Sequence, residues 1–372
     1  MLENKKKISR QWIVIAVIFA VCIVINAVSW LSVDFSDWYR DNLFLKFQPI
    51  WSWISGVFPF SVGEVMLCMA VFGGIGAIVS YIILMIKCKG KRKHISAVYA
   101  KILCWILAFI FTALSFNFFP LYHCSSFARV HGISENKYTA QQLYDLTMQM
   151  IDKCNESVKL TKRVDGRFIL TADIKTETAE AMRNISDEYK SLGGYYPKPK
   201  AIDFAKLMTQ FNLLGIYFPY SMEANYNPWM YEAEQPSTIC HEFAHLKGWI
   251  YEDDANFIAF LACINSENPA FVYSGYLLAV DYMYSKVYND PSITDEQITD
   301  MISRMSDELR FDLNEQHVIF REMKKSKIGK TAAKVSNTVI DASLKFNGVE
   351  DGEKSYGRFV DLLLNYYLGS EQ

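Results

Sequence analysis

Three long runs without a charged residue constrain this chain more than any other feature. They cover residues 11–33, 65–86 and 102–122. A helix of about 20 residues crosses the hydrocarbon core of a bilayer and satisfies its own backbone hydrogen bonds there. We therefore predict a membrane domain of residues 1–122 with three transmembrane helices. The first run is longer than the apolar part of a signal peptide and no small-residue cleavage site follows it, so we predict an uncleaved anchor.

Basic residues predict how these helices are oriented. The loop between the first two runs holds only Arg40 and Lys46, whereas two basic clusters lie at the other helix ends. Because basic loops stay in the cytoplasm, we predict a multi-pass protein of the cell membrane with a cytoplasmic N-terminus and a cytoplasmic loop at residues 87–101. Everything after residue 122 is then extracytoplasmic, and the aromatic-rich stretch 44–60 lies along the interface. The clusters are Lys5, Lys6, Lys7 and Arg10, and Lys87, Lys89, Lys91, Arg92 and Lys93.

Residues 123–372 are predicted to form a second, mostly helical domain. Thr139 and Gln142 make a helix-starting capping box, and apolar residues follow at helical spacing. The stretch 213–221 is rich in aromatic and β-branched residues, and Pro219 within it favours an edge strand. Further helices are predicted at 177–193, 236–247, 252–264, 269–288, 295–309, 315–325, 331–346 and 356–367. The fold class is therefore mainly α, with a small edge sheet in the second domain. Nothing in the spacing of Cys124, Cys154, Cys240 and Cys263 selects a disulfide pairing.

The segment HEFAH predicts a metal site. His241 and His245 are four residues apart, so on a helix they project from one face and can bind one Zn²⁺. Glu242 lies beside them, free to take a proton from water at the metal. The alternative is a surface helix with two incidental histidines, which is improbable in a chain with six histidines. We predict one zinc ion per chain.

The third protein ligand is open among three consecutive carboxylates, Glu252, Asp253 and Asp254. HEFAHLKGWIY nearly fits the pattern HExxHxxGxxH, with Gly248 at the turn, but Tyr251 stands where that pattern has its ligand. The next residues, ExxAN, are similar to the element that supplies the glutamate ligand in gluzincin-type metallopeptidases. That resemblance implies Glu252 as third ligand, and Asn256 as the hydrogen-bond partner of a metal-bound histidine.

The chain also resembles a bacterial family of membrane proteins known as domain of unknown function 3810. The landmarks are GIYFPY, EANYN, HEFAHLKG, EDDANFIAFLAC, YSGYLL and, near the end, KFNGVEDGEKSYGRFVDLLLNYY. The resemblance implies a membrane-anchored, zincin-like α+β domain and brings no established substrate.

Several other residues are candidates for contacts with substrate. Glu223, Ala224 and Asn225 look similar to the substrate-contacting end of a zincin edge strand, with an ordinary strand and turn as the equal alternative. Tyr251, Tyr226, Tyr231 and His317 could donate to an oxyanion, although structural roles are commoner for such residues.

These features predict a zinc-dependent hydrolase, best described as a metallopeptidase with Glu242 as general base. Its substrates would be extracytoplasmic peptides or envelope proteins, and its other partner the lipid bilayer. One alternative is a non-catalytic zinc-binding membrane receptor or envelope assembly factor; another is hydrolysis of a non-peptide amide. The basic stretch 324–334 is short, so no nucleic-acid partner is expected.

Overall fold

The computed structural model describes residues 10–134, 136–325, 327–347 and 358–369. The predicted mainly helical architecture is confirmed, with two small sheets. Lys5, Lys6 and Lys7, and residues 348–357 of the C-terminal landmark, lie outside the described residues. The helices are α1 (Arg10–Leu31), α2 (Val33–Tyr39), α3 (Leu45–Gly56), α4 (Val62–Lys87), α5 (Arg92–Asn117), α6 (Phe127–Val130), α7 (Ala140–Val158), α8 (Ile174–Asn184), α9 (Ala205–Gln210), α10 (Gln235–Leu246), α11 (Glu252–Ile264), α12 (Pro269–Tyr288), α13 (Asp295–Arg304), α14 (Asp307–Lys324), α15 (Lys327–Phe346) and α16 (Arg358–Gly369). The strands are β1 (Arg163–Val164), β2 (Arg167–Phe168), β3 (Lys200–Ala201), β4 (Gly215–Phe218) and β5 (Glu223–Tyr226).

Three N-terminal helices are long and apolar enough to cross a membrane. Helix α1 has 22 residues, and α4 and α5 have 26 each. At 1.5 Å per residue they are about 33 to 39 Å long, which exceeds the hydrocarbon thickness of about 30 Å. The side chain of Asn26 on α1 donates a hydrogen bond of 2.8 Å to Ser115 on α5. The described helices therefore supply the three apolar spans that the sequence predicts.

The third span begins earlier than predicted. A single 3₁₀ turn, Lys89–Lys91, separates α4 from α5, and α5 ends at Asn117 instead of residue 122. The basic residues expected in a loop at 87–101 lie instead at the end of α4 (Lys87), in this turn, and on the first turns of α5. Residues Phe119–His123 form another 3₁₀ segment that leads out of α5. Two other predicted helices end early: α8 ends at Asn184, and the predicted helix 295–309 ends at Arg304.

The main sheet has the strand order β3-β5-β4. Strand β5 pairs in parallel with β3 and antiparallel with β4. The predicted edge position of the segment around Pro219 is confirmed, because β4 pairs with one strand among the described residues and ends just before Pro219.

Glu223, Ala224 and Asn225, the predicted substrate contacts, lie on the central strand β5 and are each 1% exposed. All three pair with β4, and Asn225 also pairs with β3. This placement fits the alternative of an ordinary strand, and substrate contact there stays a prediction. The Glu223 carboxylate accepts hydrogen bonds from the backbone N–H groups of Val62 and Gly63 at the start of α4, at 3.1 and 2.8 Å. It also pairs with the buried ammonium of Lys200. Glu223 therefore joins the sheet to the first turn of an apolar helix.

Segments on the two sides of residue 122, the predicted domain boundary, contact each other. Arg40, between α2 and α3, is 1% exposed and its guanidinium lies 4.2 Å from the ring centroid of Trp249. Ser52 on α3 donates a hydrogen bond of 2.9 Å to the carbonyl of Met222. Residues 33–64 thus pack against the later helices. The outer face of α3 exposes apolar side chains as an interfacial stretch would: Phe47, Ile50, Trp51, Trp53 and Ile54.

A tight reversal at Gly248 joins α10 to α11. Gly248 has φ +87, and its N–H and that of Trp249 bond back to the carbonyls of His245 and Ala244. These two bonds form a Schellman motif, which requires a left-handed residue that favours glycine. A Cβ on Gly248 would also lie 3.0 Å from Cγ of Arg40. The backbone conformation and the packing against Arg40 therefore both favour glycine at residue 248.

We predict that Gly248→Ala lowers the stability of the full chain. The left-handed conformation alone costs a non-glycine residue about 1–2 kcal/mol, and the contact with Arg40 adds to that cost. The apparent midpoint of thermal unfolding in detergent should fall by several degrees. Gly166→Ala is the matched control, because Gly166 has φ +78 but nothing within 4 Å of its added Cβ. Equal losses in the two variants would contradict the packing part of this account.

We also predict that Glu223→Gln destabilises the fold without lowering the zinc content of the folded protein. Loss of the carboxylate charge leaves the ammonium of Lys200 buried without its partner, which costs about 3 kcal/mol. The control is Glu156→Gln, because the pair between Glu156 and Lys153 is exposed on both sides and such pairs contribute about 0–1 kcal/mol. Unfolding midpoints and elemental analysis would check both variants, and an unchanged midpoint for Glu223→Gln would refute the structural role.

Candidate metal centre

Helix α10 brings the two histidines of HEFAH together. His241 and His245 lie one helical turn apart with ring centroids 4.5 Å apart. Their side chains are 14% and 11% exposed, so the pair lines a mostly buried site that solvent still reaches. Every other face of this helix is buried against the core, through residues such as Ile239, Phe243 and Leu246. Packing against the core therefore fixes the position of this helix, and the face with the two histidines is the one that remains partly exposed.

Each histidine uses its Nδ1 atom in a hydrogen bond. Nδ1 of His241 lies 2.8 Å from Oδ1 of Asn256, and Nδ1 of His245 lies 2.8 Å from the carbonyl of Trp249. Since both partners are oxygen acceptors, each Nδ1 carries a proton, and each Nε2 offers a lone pair to a metal when its ring is neutral. Asn256 thus makes the hydrogen bond to a histidine that the sequence predicts. Its side-chain amide also donates a hydrogen bond of 3.3 Å to the hydroxyl of Tyr282.

Glu252, in the first turn of α11, places its carboxylate close to the Nε2 atoms of both histidines. Its Oε2 lies 3.2 Å from Nε2 of His241 and 3.8 Å from Nε2 of His245. Tetrahedral zinc with bonds of about 2.0–2.1 Å separates its ligand atoms by about 3.3 Å. Among the residues that the structure describes, these three form the one group of at least three histidine, cysteine or acidic side chains whose ligand atoms lie within 4.8 Å of one another. The residues present therefore fit a zinc ion.

The two neighbouring carboxylates point elsewhere. Asp253 accepts a hydrogen bond of 3.0 Å from Nε of Arg358, and Asp254 accepts one of 2.8 Å from the backbone N–H of Phe127. Burial raises the pKa of the Asp254 carboxyl well above its usual range. Of the three consecutive acidic residues, only Glu252 is in a group that could bind a metal.

Glu242 lies against the edge strand. A Cβ on Gly215, the first residue of β4, would be 2.3 Å from Oε1 of Glu242. The carboxylate therefore occupies space that any side chain at residue 215 would fill. Its Oε2 is buried without a hydrogen-bond partner among the described residues. Before any ion binds, burial raises the pKa of Glu242 to about 8; a cation held by the adjacent histidines would favour the charged carboxylate and lower that pKa.

The protonation of the two histidines differs before any ion binds. Burial lowers the pKa of His245 to about 4, and the charge of His241 acts in the same direction. Burial also opposes the charged form of His241, but the adjacent Glu252 carboxylate outweighs it and the pKa of His241 is raised. A cation between these groups would take the place of that proton, which is the usual linkage of metal binding to deprotonation.

The predicted oxyanion donors have other hydrogen-bond partners. The hydroxyl of Tyr251 donates to the carbonyl of Tyr122 at 2.6 Å, and that of Tyr231 donates to Asp312 at 2.5 Å. His317 lies on α14 with its Nε2 3.4 Å from Asp281. Tyr226 is buried on β5, the central strand. The structure does not bring any of these four residues into the group formed by the two histidines and Glu252.

Sequence reasoning missed three contributors to the site. The carbonyl of Trp249 orients His245, the hydroxyl of Tyr282 contacts Asn256, and the ring of Tyr217 lies 6.5 Å from that of His245. A main-chain carbonyl has no signature in a sequence. Gly248 was the one feature of the sequence that could have indicated the contact between the Trp249 carbonyl and His245, since a left-handed residue at that position turns the next carbonyl back toward the end of the helix.

The cysteines do not contribute ligands. All eight are free in the described chain. Cys240 and Cys263 are fully buried on α10 and α11 with their sulfur atoms 3.9 Å apart. They pack these two helices together behind the histidine face.

Comparison with known proteins identifies a family and no activity. Residues 39–364 match the family described as "Protein of unknown function (DUF3810)", a range that includes every residue of the candidate metal centre. No curated protein and no solved structure matches the chain.

We predict that Glu252 is needed for metal binding and that Asp253 and Asp254 are not. The full chain, purified in detergent and loaded with zinc, should hold one equivalent, and Glu252→Gln should lose it because one of three ligands is gone. Asp253→Asn and Asp254→Asn are the matched controls and should keep it.

Asn256→Ala should weaken zinc binding by about 10- to 100-fold, as loss of a ligand-orienting partner does. Elemental analysis and competition with a chromogenic chelator would measure both effects, and zinc retained by Glu252→Gln would contradict the assignment.

Proposed function

We propose, for a chain that belongs to the DUF3810 family of unknown function, that it is a membrane-anchored zinc-dependent hydrolase and specifically a peptidase. One observation carries the proposal. Two histidine Nε2 atoms and Glu252 converge within ligand distance, and Glu242, on the same helix as the histidines, holds a buried carboxylate oxygen that has no hydrogen-bond partner within the described part of the chain. A site built only to hold a metal does not require that second carboxylate.

The chain supplies three ligands and leaves room for a fourth. His241, His245 and Glu252 would hold the zinc ion, and their partial exposure lets water and substrate reach it. Bound zinc supplies a Lewis acid that polarises a carbonyl and makes water nucleophilic at neutral pH. Asn256 and the carbonyl of Trp249 keep both imidazole rings in the ligating tautomer.

Glu242 is the proton carrier in this proposal. Its carboxylate accepts a proton from the attacking water while the water oxygen forms a bond to the carbonyl carbon of the peptide. It then gives that proton to the leaving nitrogen as the C–N bond breaks. Gly215 acts as a positioning residue, because the absence of its side chain allows the carboxylate to lie against β4.

Strand β4 supports a peptide as the substrate. It is an edge strand in the described sheet, and it lies beside Glu242. An extended peptide can add to such an edge through main-chain hydrogen bonds, which give affinity with little dependence on sequence. The HExxH helix, this edge strand and a glutamate from the next helix together support a zincin-like description of the domain.

Charge distribution supports an extracytoplasmic site. The basic turn Lys89–Lys91 lies at one end of α4 and α5, while the other ends contact the main sheet through Gly63 and Asn117. By the positive-inside rule the basic end is cytoplasmic, so the metal centre faces the exterior.

We predict that Glu242→Gln keeps zinc and loses hydrolysis. Removal of a general base lowers turnover by about 10²- to 10⁴-fold, whereas the ligand set is unchanged. The substrate would be a proteome-derived peptide mixture, with new termini counted by mass spectrometry after incubation with the zinc-loaded full chain in detergent. Gly215→Ala should lower turnover in the same direction by displacing the carboxylate, and Glu308→Gln, on the exposed face of α14, is the matched control.

Two outcomes would count against this proposal. Absence of new termini with the zinc-loaded wild-type chain would refute a peptidase. Normal cellular function in a Glu242→Gln strain would favour the non-catalytic receptor or assembly factor, which needs the metal but no base.

A further inference from the structure

One tyrosine side chain separates the metal centre from the end of an apolar helix. The hydroxyl of Tyr217 donates a hydrogen bond of 3.1 Å to the carbonyl of Asn117, the last residue of α5. The ring of the same residue lies 6.5 Å from the ring of His245. The HEFAH helix therefore sits directly above the point where α5 ends.

A second contact joins the other ligand-bearing helix to the same place. Tyr251, the residue before Glu252, donates a hydrogen bond of 2.6 Å to the carbonyl of Tyr122. Tyr122 belongs to the short 3₁₀ segment that follows α5. Tyr217 thus lies between His245 on α10 and the last residue of α5, and the residue that precedes α11 contacts the segment just beyond α5. We infer that the site lies close to the level of the bilayer surface.

The edge strand runs from the general base toward that surface. Its first residue, Gly215, contacts Glu242, and a Cβ on Gly63 at the start of α4 would lie 2.5 Å from the ring of Phe218, its last residue. Asn117 then donates a hydrogen bond of 2.8 Å to the carbonyl of Pro219. Four residues at about 3.3 Å each give a path of roughly 13 Å between the base and the helix ends.

Exposed apolar side chains surround the membrane-facing end of this path. The indole N–H of Trp51 donates a hydrogen bond of 3.2 Å to the carbonyl of Tyr220, and Trp51 is 43% exposed. On another side, the backbone N–H of Phe204 bonds to Glu64 in the first turn of α4 at 2.7 Å, and Phe204 is 54% exposed. Tryptophan and other aromatic residues at such positions lie in the headgroup layer of a bilayer. Further members of this group are Trp53, Phe58, Phe60 and Leu207.

We propose that the substrate is a polypeptide tethered in the same membrane, cut a few residues outside the bilayer. This inference rests on the proposed function. The extended segment leaves the headgroup layer beside Phe218, pairs along β4, and presents a peptide bond to Glu242 and the metal ligands. The path length sets the distance between anchor and cut at about four residues or slightly more. An acyl anchor and a transmembrane helix both meet this requirement.

The test is a series of spacer lengths. The full chain is placed in liposomes with a quenched peptide pool carrying a randomised six-residue cassette. The pool is joined to an acyl chain or to a transmembrane peptide through Gly/Ser spacers of two, six, twelve or 24 residues. The same pool without an anchor is supplied in solution at equal total concentration.

The expected result is a threshold between two and six residues. The six-residue spacer should be cut about 10²-fold or more faster than the soluble pool, because tethering raises the effective concentration. The rate should then fall slowly with longer spacers. Equal cutting of soluble and tethered pools, or a threshold at 12 residues or beyond, would overturn the inference and leave the peptidase proposal standing. Cutting of no pool in liposomes or in detergent would instead overturn the peptidase proposal, and this inference with it.

A measurement without turnover checks the membrane contact separately. A photo-crosslinking benzophenone side chain is introduced at position 204, and in a matched variant at Val164, which is 50% exposed on the β1-β2 hairpin. In nanodiscs, the benzophenone at position 204 should crosslink to lipid and the one at position 164 should not. Lipid crosslinks at both positions, or at neither, would contradict a site that opens at the bilayer surface.

Discussion

The chain reversal at Gly248 is the constraint on which the metal centre depends. It ends α10 directly after HEFAH and lets α11 begin four residues later, so that Glu252 returns to the face that carries His241 and His245. The same turn aims the carbonyl of Trp249 at His245. One left-handed glycine thus places a ligand and orients another. The guanidinium of Arg40, packed against this turn, ties the geometry to the segment between the apolar helices.

The site is therefore part of a core that includes the segment between the first two apolar helices. Residues 33–64 contact Trp249, which follows α10, and Met222, which precedes β5, and the carboxylate of Glu223 joins the central strand of the sheet to the start of α4. A fragment starting at residue 123 would lack these contacts and would expose Trp249 and Lys247, both nearly fully buried. The full chain in detergent or lipid is the form in which the chemistry should be measured.

Local patterns predicted much of this architecture. The bounds of α11 and α12 and the edge position of β4 follow from features within about a dozen residues: helical spacing, capping residues and proline. The choice of Glu252 among three consecutive carboxylates came instead from the resemblance of ExxAN to the gluzincin element. Contacts that join distant segments could not be predicted in this way. Pairing with β3 and β4 buries EANYN, and local pattern alone left its role open between substrate contact and an ordinary strand. The packing of Arg40 on Trp249 and the partners of Tyr231 and Tyr251 depend on tertiary contacts that no periodicity encodes.

The most direct test of the central claim is the coordination of zinc in the intact protein. X-ray absorption spectroscopy on the purified, zinc-loaded full chain would report the number and type of ligand atoms. The account predicts one zinc per chain with two imidazole nitrogens and carboxylate oxygen at about 2.0–2.2 Å, and loss of the two-imidazole signal in His245→Ala. A folded chain that binds no transition metal, or one whose metal has sulfur ligands, would contradict it.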